Sequence, residues 1–75
     1  MRKKVYVSRV HHKECPICGK YRRDSWVKVA QHIAMKRDRV HREWRIENNL
    51  PGDYRSMREV RQMITEIMRI FGWKD

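Results

Sequence analysis

The sequence predicts a small α+β domain, a β-hairpin followed by helices, and it does so on three observations. Cys15 and Cys18 stand two residues apart in a turn that contains Pro16 and ends on Gly19. β-Branched and aromatic residues crowd the stretch before that turn, whereas apolar residues recur at helical spacing after it. At 75 residues the chain is one domain at most, and its apolar core alone is too small for a comfortable stability margin, so a staple is expected.

The elements follow in order. Residues 3–11, Lys-Lys-Val-Tyr-Val-Ser-Arg-Val-His, alternate in part between apolar and polar and read as a short strand. Cys15-Pro16-Ile17-Cys18-Gly19-Lys20 forms a tight turn, and Tyr21-Arg22-Arg23 returns as the second strand of a hairpin. Asp24 or Ser25 can cap a helix through a side-chain oxygen. Trp26, Val29, Ala30 and Ile33 then follow at helical spacing, so the first helix should run to Met35 or Lys36. A second helix is expected over 38–47, with Val40, Trp44 and Glu47 on one side, until Asn48-Asn49-Leu50-Pro51-Gly52 stops it. In the last segment Met57, Val60, Ile64, Ile67 and Phe71 fall 3, 4, 3 and 4 residues apart, widened by Met63, Met68 and Ile70. Ser56 and Glu59 offer a capping box at its start, and Gly72 a C-cap. The chain thus divides into a basic unit over 1–47, a linker over 48–52, and an amphipathic helix within 53–73. That helix either folds back over Trp26 and Trp44 or pairs with a partner, including a second copy of the chain.

Charge is placed unevenly. Lys and Arg exceed Asp and Glu by 14 to 4 through Arg45, whereas Ile46 to Asp75 holds five of each, so all of the net +10 falls in the first three-fifths. This asymmetry predicts an anionic partner for the N-terminal part and a different role for the rest. With 37% charged residues and no apolar run near the roughly 18 residues of a spanning helix, a soluble protein is expected. Met1-Arg2-Lys3-Lys4 is basic, but no apolar stretch of a secretory leader follows it, so an intracellular location, cytoplasm or nucleoid, is expected.

In a reducing compartment a Cys-x-x-Cys pair is a metal knuckle or a redox pair sooner than a structural disulfide. No βαβ pattern surrounds this pair and histidines follow it, which favours metal. Two thiolates and two imidazoles suit a structural zinc, which takes four ligands in a tetrahedron. Thirteen residues separate Cys18 from His32, and His41 completes a set of Cys15, Cys18, His32 and His41 around one Zn2+. His11 and His12, beside the knuckle, remain alternatives for the fourth position. On an unbroken helix His32 and His41 would differ by roughly 900° of rotation and 13.5 Å of rise, so sharing an ion requires a break between them. Lys36-Arg37-Asp38 is where that break is expected, with Asp38 capping the new helix. Four protein ligands leave no open position for a reacting water, and no His-Glu-x-x-His is present, so an enzyme is not expected. A compact ββα-metal nuclease using His11 and His12 stays as the catalytic alternative.

Cys15-Pro16-Ile17-Cys18-Gly19-Lys20 and Val29-x-x-His32 together resemble the knuckle and helix of the two-Cys, two-His (C2H2) zinc fingers. The resemblance covers about Val5 to His41 and looks closest to the short variants of archaea and their viruses. Three departures stand out: 13 residues rather than 12 precede His32, eight separate the histidines, and Arg22 occupies the usual aromatic position, which Tyr21 can supply instead. The resemblance implies a ββα finger around one zinc and docking of the helix start in the DNA major groove. Ser25, Lys28 and Gln31 would then face the bases, a permissive set.

Function follows from both lines. A net of +10 is a footprint for nucleic acid, with Arg22, Arg23, Arg37, Arg39, Arg42 and Arg45 as phosphate contacts and Arg2, Lys3 and Lys4 as an arm. A DNA-binding transcriptional regulator is the leading expectation. A zinc-organised protein-interaction module and an RNA-binding role, with three Trp and three Tyr available for stacking, are the alternatives.

Overall fold

The computed structural model describes residues 13–74. The strand expected over 3–11, the arm of Arg2, Lys3 and Lys4, and His11 and His12 lie outside the described residues.

β1 (Lys13–Glu14) pairs antiparallel with β2 (Arg22–Arg23), Lys13 opposite Arg23 and Glu14 opposite Arg22. Three helices follow: α1 (Trp26–Met35), α2 (Arg39–Glu47) and α3 (Met57–Phe71). The result is a small α+β fold of the ββα kind with two further helices, as the sequence predicts.

Ser25 caps α1 by accepting a hydrogen bond from the Val27 amide at 3.2 Å. Its buried face is Val29, Ala30, Ile33 and Ala34, and the two alanines let another helix approach closely. That helix is α3, which contributes Val60, Met63 and Ile67 to the same core. Ser56 accepts from the Glu59 amide at 3.4 Å. The Glu59 carboxylate reaches back to the Arg55 amide at 2.6 Å rather than to Ser56, one residue beyond the expected box. Gly72, at φ 71°, ends α3 in the left-handed conformation, and the Trp73 amide donates to the Met68 carbonyl at 2.9 Å.

This chain reversal aims Trp73 back at the body of the domain. Its ring stacks on Trp26 at 4.1 Å and on Phe71 at 4.5 Å, and Phe71 stacks in turn on Trp44 at 5.4 Å. Four rings from α1, α2 and the end of α3 form one column, so the C-terminal helix folds back over Trp26 and Trp44. The spacing of Met57 to Phe71 located α3 but set its face slightly wrong. Met57 and Ile70 are exposed, and Met63 replaces Met57 in the buried stripe.

α2 departs furthest from its expected pattern. Val40, grouped by its spacing with Trp44 and Glu47, is 52% exposed, and Ile46 is 57% exposed. The fully buried residues are His41 and Arg45. The Arg45 guanidinium donates to the carbonyls of Ile33 at 2.7 Å, Lys36 at 2.6 Å and Pro51 at 3.1 Å, and also to that of Gly52. It therefore ties the end of α1 to the loop after α2. Burial pushes its pKa down, yet no neutral form is implied, because a guanidinium stays charged in proteins. Arg45 was a phosphate candidate from sequence; with its side chain buried on four carbonyls it is a structural cation instead.

Candidate metal centre

The knuckle is held by backbone hydrogen bonds. The Cys15 amide donates to the Tyr21 carbonyl at 2.8 Å, and the Gly19 amide to the Cys15 carbonyl at 2.8 Å. Gly19 sits at φ 68°, which a residue with a side chain adopts only under strain. Both thiols are thereby turned towards the helices. Cys15 is buried and Cys18 half-buried, and neither is in a disulfide.

The break between α1 and α2 brings the two histidines together. Lys36 leaves α1 in an extended conformation and Asp38 begins α2, so the helix axis turns within three residues. His32 and His41 then meet edge to face, ring centres 4.8 Å apart. Cys15 Sγ lies 3.6 Å from His41 Nε2, and Cys18 Sγ lies 3.6 Å from His32 Nε2. All four donor atoms fall within 4.8 Å of one another. A divalent ion at ordinary thiolate and imidazole bond lengths of about 2.3 and 2.05 Å sets tetrahedral S···N edges of about 3.6 Å. The donor set and its spacing therefore fit a metal ion, consistent with a two-Cys, two-His site.

Asp38 takes a part in this site that its sequence position hides. It occupies the N-cap of α2, yet its carboxylate makes no capping hydrogen bond. Instead it lies 2.5 Å from His41 Nδ1, on the side of the ring away from Cys15. An Nδ1–H donated to Asp38 leaves Nε2 as the free lone pair facing the thiolates, an arrangement common around metal-bound histidines. Desolvation pushes the Asp38 carboxyl up, but the hydrogen bond and charge of His41 overcome it and hold the group below the usual carboxylate range.

Tyr21 supports the other imidazole. Its ring lies parallel to that of His32 at 4.0 Å, filling the aromatic role that Arg22 cannot. Burial pulls His32 down from its ordinary value and favours the neutral ligand form. The thiols diverge. Burial raises Cys15, whereas for Cys18 the same push is outweighed by hydrogen bonds from the Lys20 and Tyr21 backbone and from Cys15, leaving it below the usual thiol range.

No family model, curated protein or solved structure matches this chain. The reading of the site therefore rests on its own geometry.

The remaining sequence candidates fall outside the cluster. Lys28 and Gln31 are exposed on α1, and Ser25 is half-buried at its cap. Arg22, Arg23, Arg37, Arg39 and Arg42 are exposed. Three of them are engaged: Arg22 with Glu14 at 3.1 Å, Arg39 with Glu43 at 3.0 Å, and Arg42 with Asp53 at 3.3 Å. Arg37 lies over the Tyr54 ring, 4.8 Å from its centre, and Arg23 donates to the Tyr21 hydroxyl at 3.0 Å. Exposed pairs of this kind are weak and open readily to a stronger anion. Tyr21 supplies the aromatic as expected, whereas the hydrogen bond of Asp38 to His41 and the stacking of Trp73 are roles that were missed. For Asp38 the available signal was its position three residues before His41, one helical turn away on the same face.

Proposed function

We propose that Cys15, Cys18, His32 and His41 bind one structural Zn2+ and that the folded chain binds duplex DNA, as a regulator of transcription would. Zinc is the reading of choice because two thiolates and two imidazoles are its preferred structural set and the edges match its bond lengths. The ion is read as structural because protein atoms fill all four positions. It joins the hairpin to the α1–α2 elbow, to which the small apolar core adds the packing of Cys15, Ile17 and Tyr21.

The observation that carries the DNA reading is the face of α1 left open. α3 covers Val29, Ala30, Ile33 and Ala34, while Lys28 and Gln31 stay in solvent beside the exposed Arg22 and Arg23 of β2. A polar helix face carrying Lys28, which lies 4.0 Å from Asp24, beside a strand of two arginines can enter a major groove and hold its phosphates. The test is binding of zinc-loaded protein to a labelled duplex over a range of salt. Binding that weakens steeply as salt rises is expected, and no binding at low salt would overturn the reading.

A protein-interaction role is the competing reading. It is favoured by a shallow groove lined by Pro16, Ile17, Val40, Trp44 and Phe71 between Glu43 and Glu47, which is apolar and acidic on an otherwise cationic chain. Binding of RNA in preference to duplex DNA would point to the third possibility.

A further inference from the structure

The two thiols of the metal centre are not equivalent. Cys15 is fully buried in the apolar core, whereas Cys18 is half-buried and lines a cleft between the knuckle and the α1–α2 elbow. Lys20 and Tyr21 border that cleft on the hairpin side, and Lys36, Asp38 and His41 border it on the other. Lys20 and Lys36 are exposed, and among the described residues neither lies within ion-pair distance of a carboxylate. Asp38, the carboxylate among the lining residues, is engaged by His41 Nδ1 at 2.5 Å. A Cys-x-x-Cys pair also has the spacing of a redox motif, and a purely structural ion leaves that chemistry unused.

We infer that Cys18 is a modification site for small anionic disulfides, glutathione disulfide being the representative, and that attack there opens the metal centre. The site rests on the zinc reading above and concerns the same four ligands. A metal-bound cysteine is a thiolate, the form that carries out disulfide exchange. Cys18 Sγ attacks one sulfur of the incoming disulfide, that S–S bond breaks, one small thiolate leaves, and a mixed disulfide forms on Cys18. Cys15 Sγ, within 4.8 Å of Cys18 Sγ, then attacks it, displaces the second small thiolate and closes a Cys15–Cys18 disulfide. An electron pair passes from the two protein sulfurs to the small disulfide, which ends as two thiolates, and no proton moves. Two imidazoles remain, too few for a structural site, so the link between hairpin and elbow is lost. Burial fixes the order of attack, because a disulfide in the cleft reaches Cys18 and not Cys15. Lys20 and Lys36 beside the cleft favour a disulfide of net negative charge over a neutral one.

The test treats zinc-loaded wild type and the double variant K20Q/K36Q with glutathione disulfide and, in a parallel arm, with neutral hydroxyethyl disulfide. Freed zinc is followed with a chromophoric chelator, and the cysteines are mapped by mass spectrometry. Both lysines are exposed and neither is a ligand, so zinc stoichiometry should be equal in the two proteins. A brief iodoacetamide pulse on loaded wild type should label Cys18 ahead of Cys15, and glutathione disulfide should free zinc in step with a Cys15–Cys18 disulfide. K20Q/K36Q should release zinc about threefold or more slowly with glutathione disulfide at low salt, a gap that closes at high salt and is absent with the neutral reagent. Three results would each overturn the proposal while the zinc reading stands: loaded wild type that keeps its zinc under conditions that oxidise the unfolded chain, first labelling at Cys15, or equal release rates from the two proteins with glutathione disulfide. A purified chain that takes up no zinc removes that reading and this site together.

Discussion

α2 turns His41 and Arg45 inward and leaves Val40 and Ile46 in solvent, whereas α3 buries Val60, Met63 and Ile67 and keeps its arginines outside. Both are amphipathic by pattern, but only one is packed by it. α3 is organised by area: its apolar stripe meets that of α1, and burial at about 25 cal/mol per Å2 decides its orientation. α2 is organised by partners. Its inward histidine faces a thiolate and its inward guanidinium finds four carbonyls, and those specific contacts outweigh the loss of two exposed aliphatic side chains. A helix whose orientation comes from a few polar contacts should fail when one of them is lost, and should tolerate changes to its exposed apolar residues.

The largest effect is expected at Arg45. Replacing it by Met keeps much of the side-chain volume but orphans carbonyls of Ile33, Lys36, Pro51 and Gly52, at about 1–3 kcal/mol for each group that water cannot reach. Part of that set will be rehydrated, so urea unfolding of the metal-loaded protein should show a loss of about 3–5 kcal/mol. A loss under 1 kcal/mol would mean that α2 is not held by these contacts. In α3 the matching experiment is Ile67→Ala, a cavity in an apolar interface that should cost about 2–4 kcal/mol while leaving metal affinity nearly unchanged in the folded state.

Asp38→Asn sharpens the comparison without touching a ligand. The amide can still contact His41 Nδ1 but no longer offers a charged acceptor, so metal affinity by competitive chelator titration should fall about 10- to 100-fold. Unchanged affinity would reduce Asp38 to a helix-start residue. Acidification acts in the same region. Burial holds His32 below its ordinary value, so the unfolded chain takes up that proton first as pH falls. The stability from the neutral ring is present above about 6.5 and is lost as pH drops from there towards the lower folded value. Metal loading should decline in the same direction, because thiolates and imidazoles must be unprotonated to bind. The smallest effect is expected at Val40→Thr and Ile46→Gln, where exposed aliphatic side chains on α2 should change stability by about 0.5 kcal/mol or less.

This contrast also explains how far the sequence could be read. The hairpin turn, the caps at Ser25, Ser56 and Gly72, and the extents of α1 and α3 follow from local chemistry, which sequence displays directly. The break before Asp38 was derivable because nine residues of unbroken helix would place His32 and His41 on opposite faces. The facing of α2 was not, since periodicity counts apolar residues and here the organising groups are polar. Arg45 looked like one more surface cation in a run of arginines, and nothing in its own neighbourhood marks the carbonyls of Pro51 and Gly52 that arrive from the next loop. Trp73 was missed for a related reason. Its place in the ring column depends on the reversal at Gly72, which turns the chain after the helical pattern has ended.

The most direct measurement is a thermal melt of metal-stripped protein, followed by far- and near-ultraviolet circular dichroism, before and after stoichiometric Zn2+. We expect the stripped chain to lose its cooperative transition and to recover it at one equivalent of zinc. A stripped chain that melts with the same midpoint and keeps the same near-ultraviolet spectrum would contradict the claim that Cys15, Cys18, His32 and His41 organise this fold around one ion.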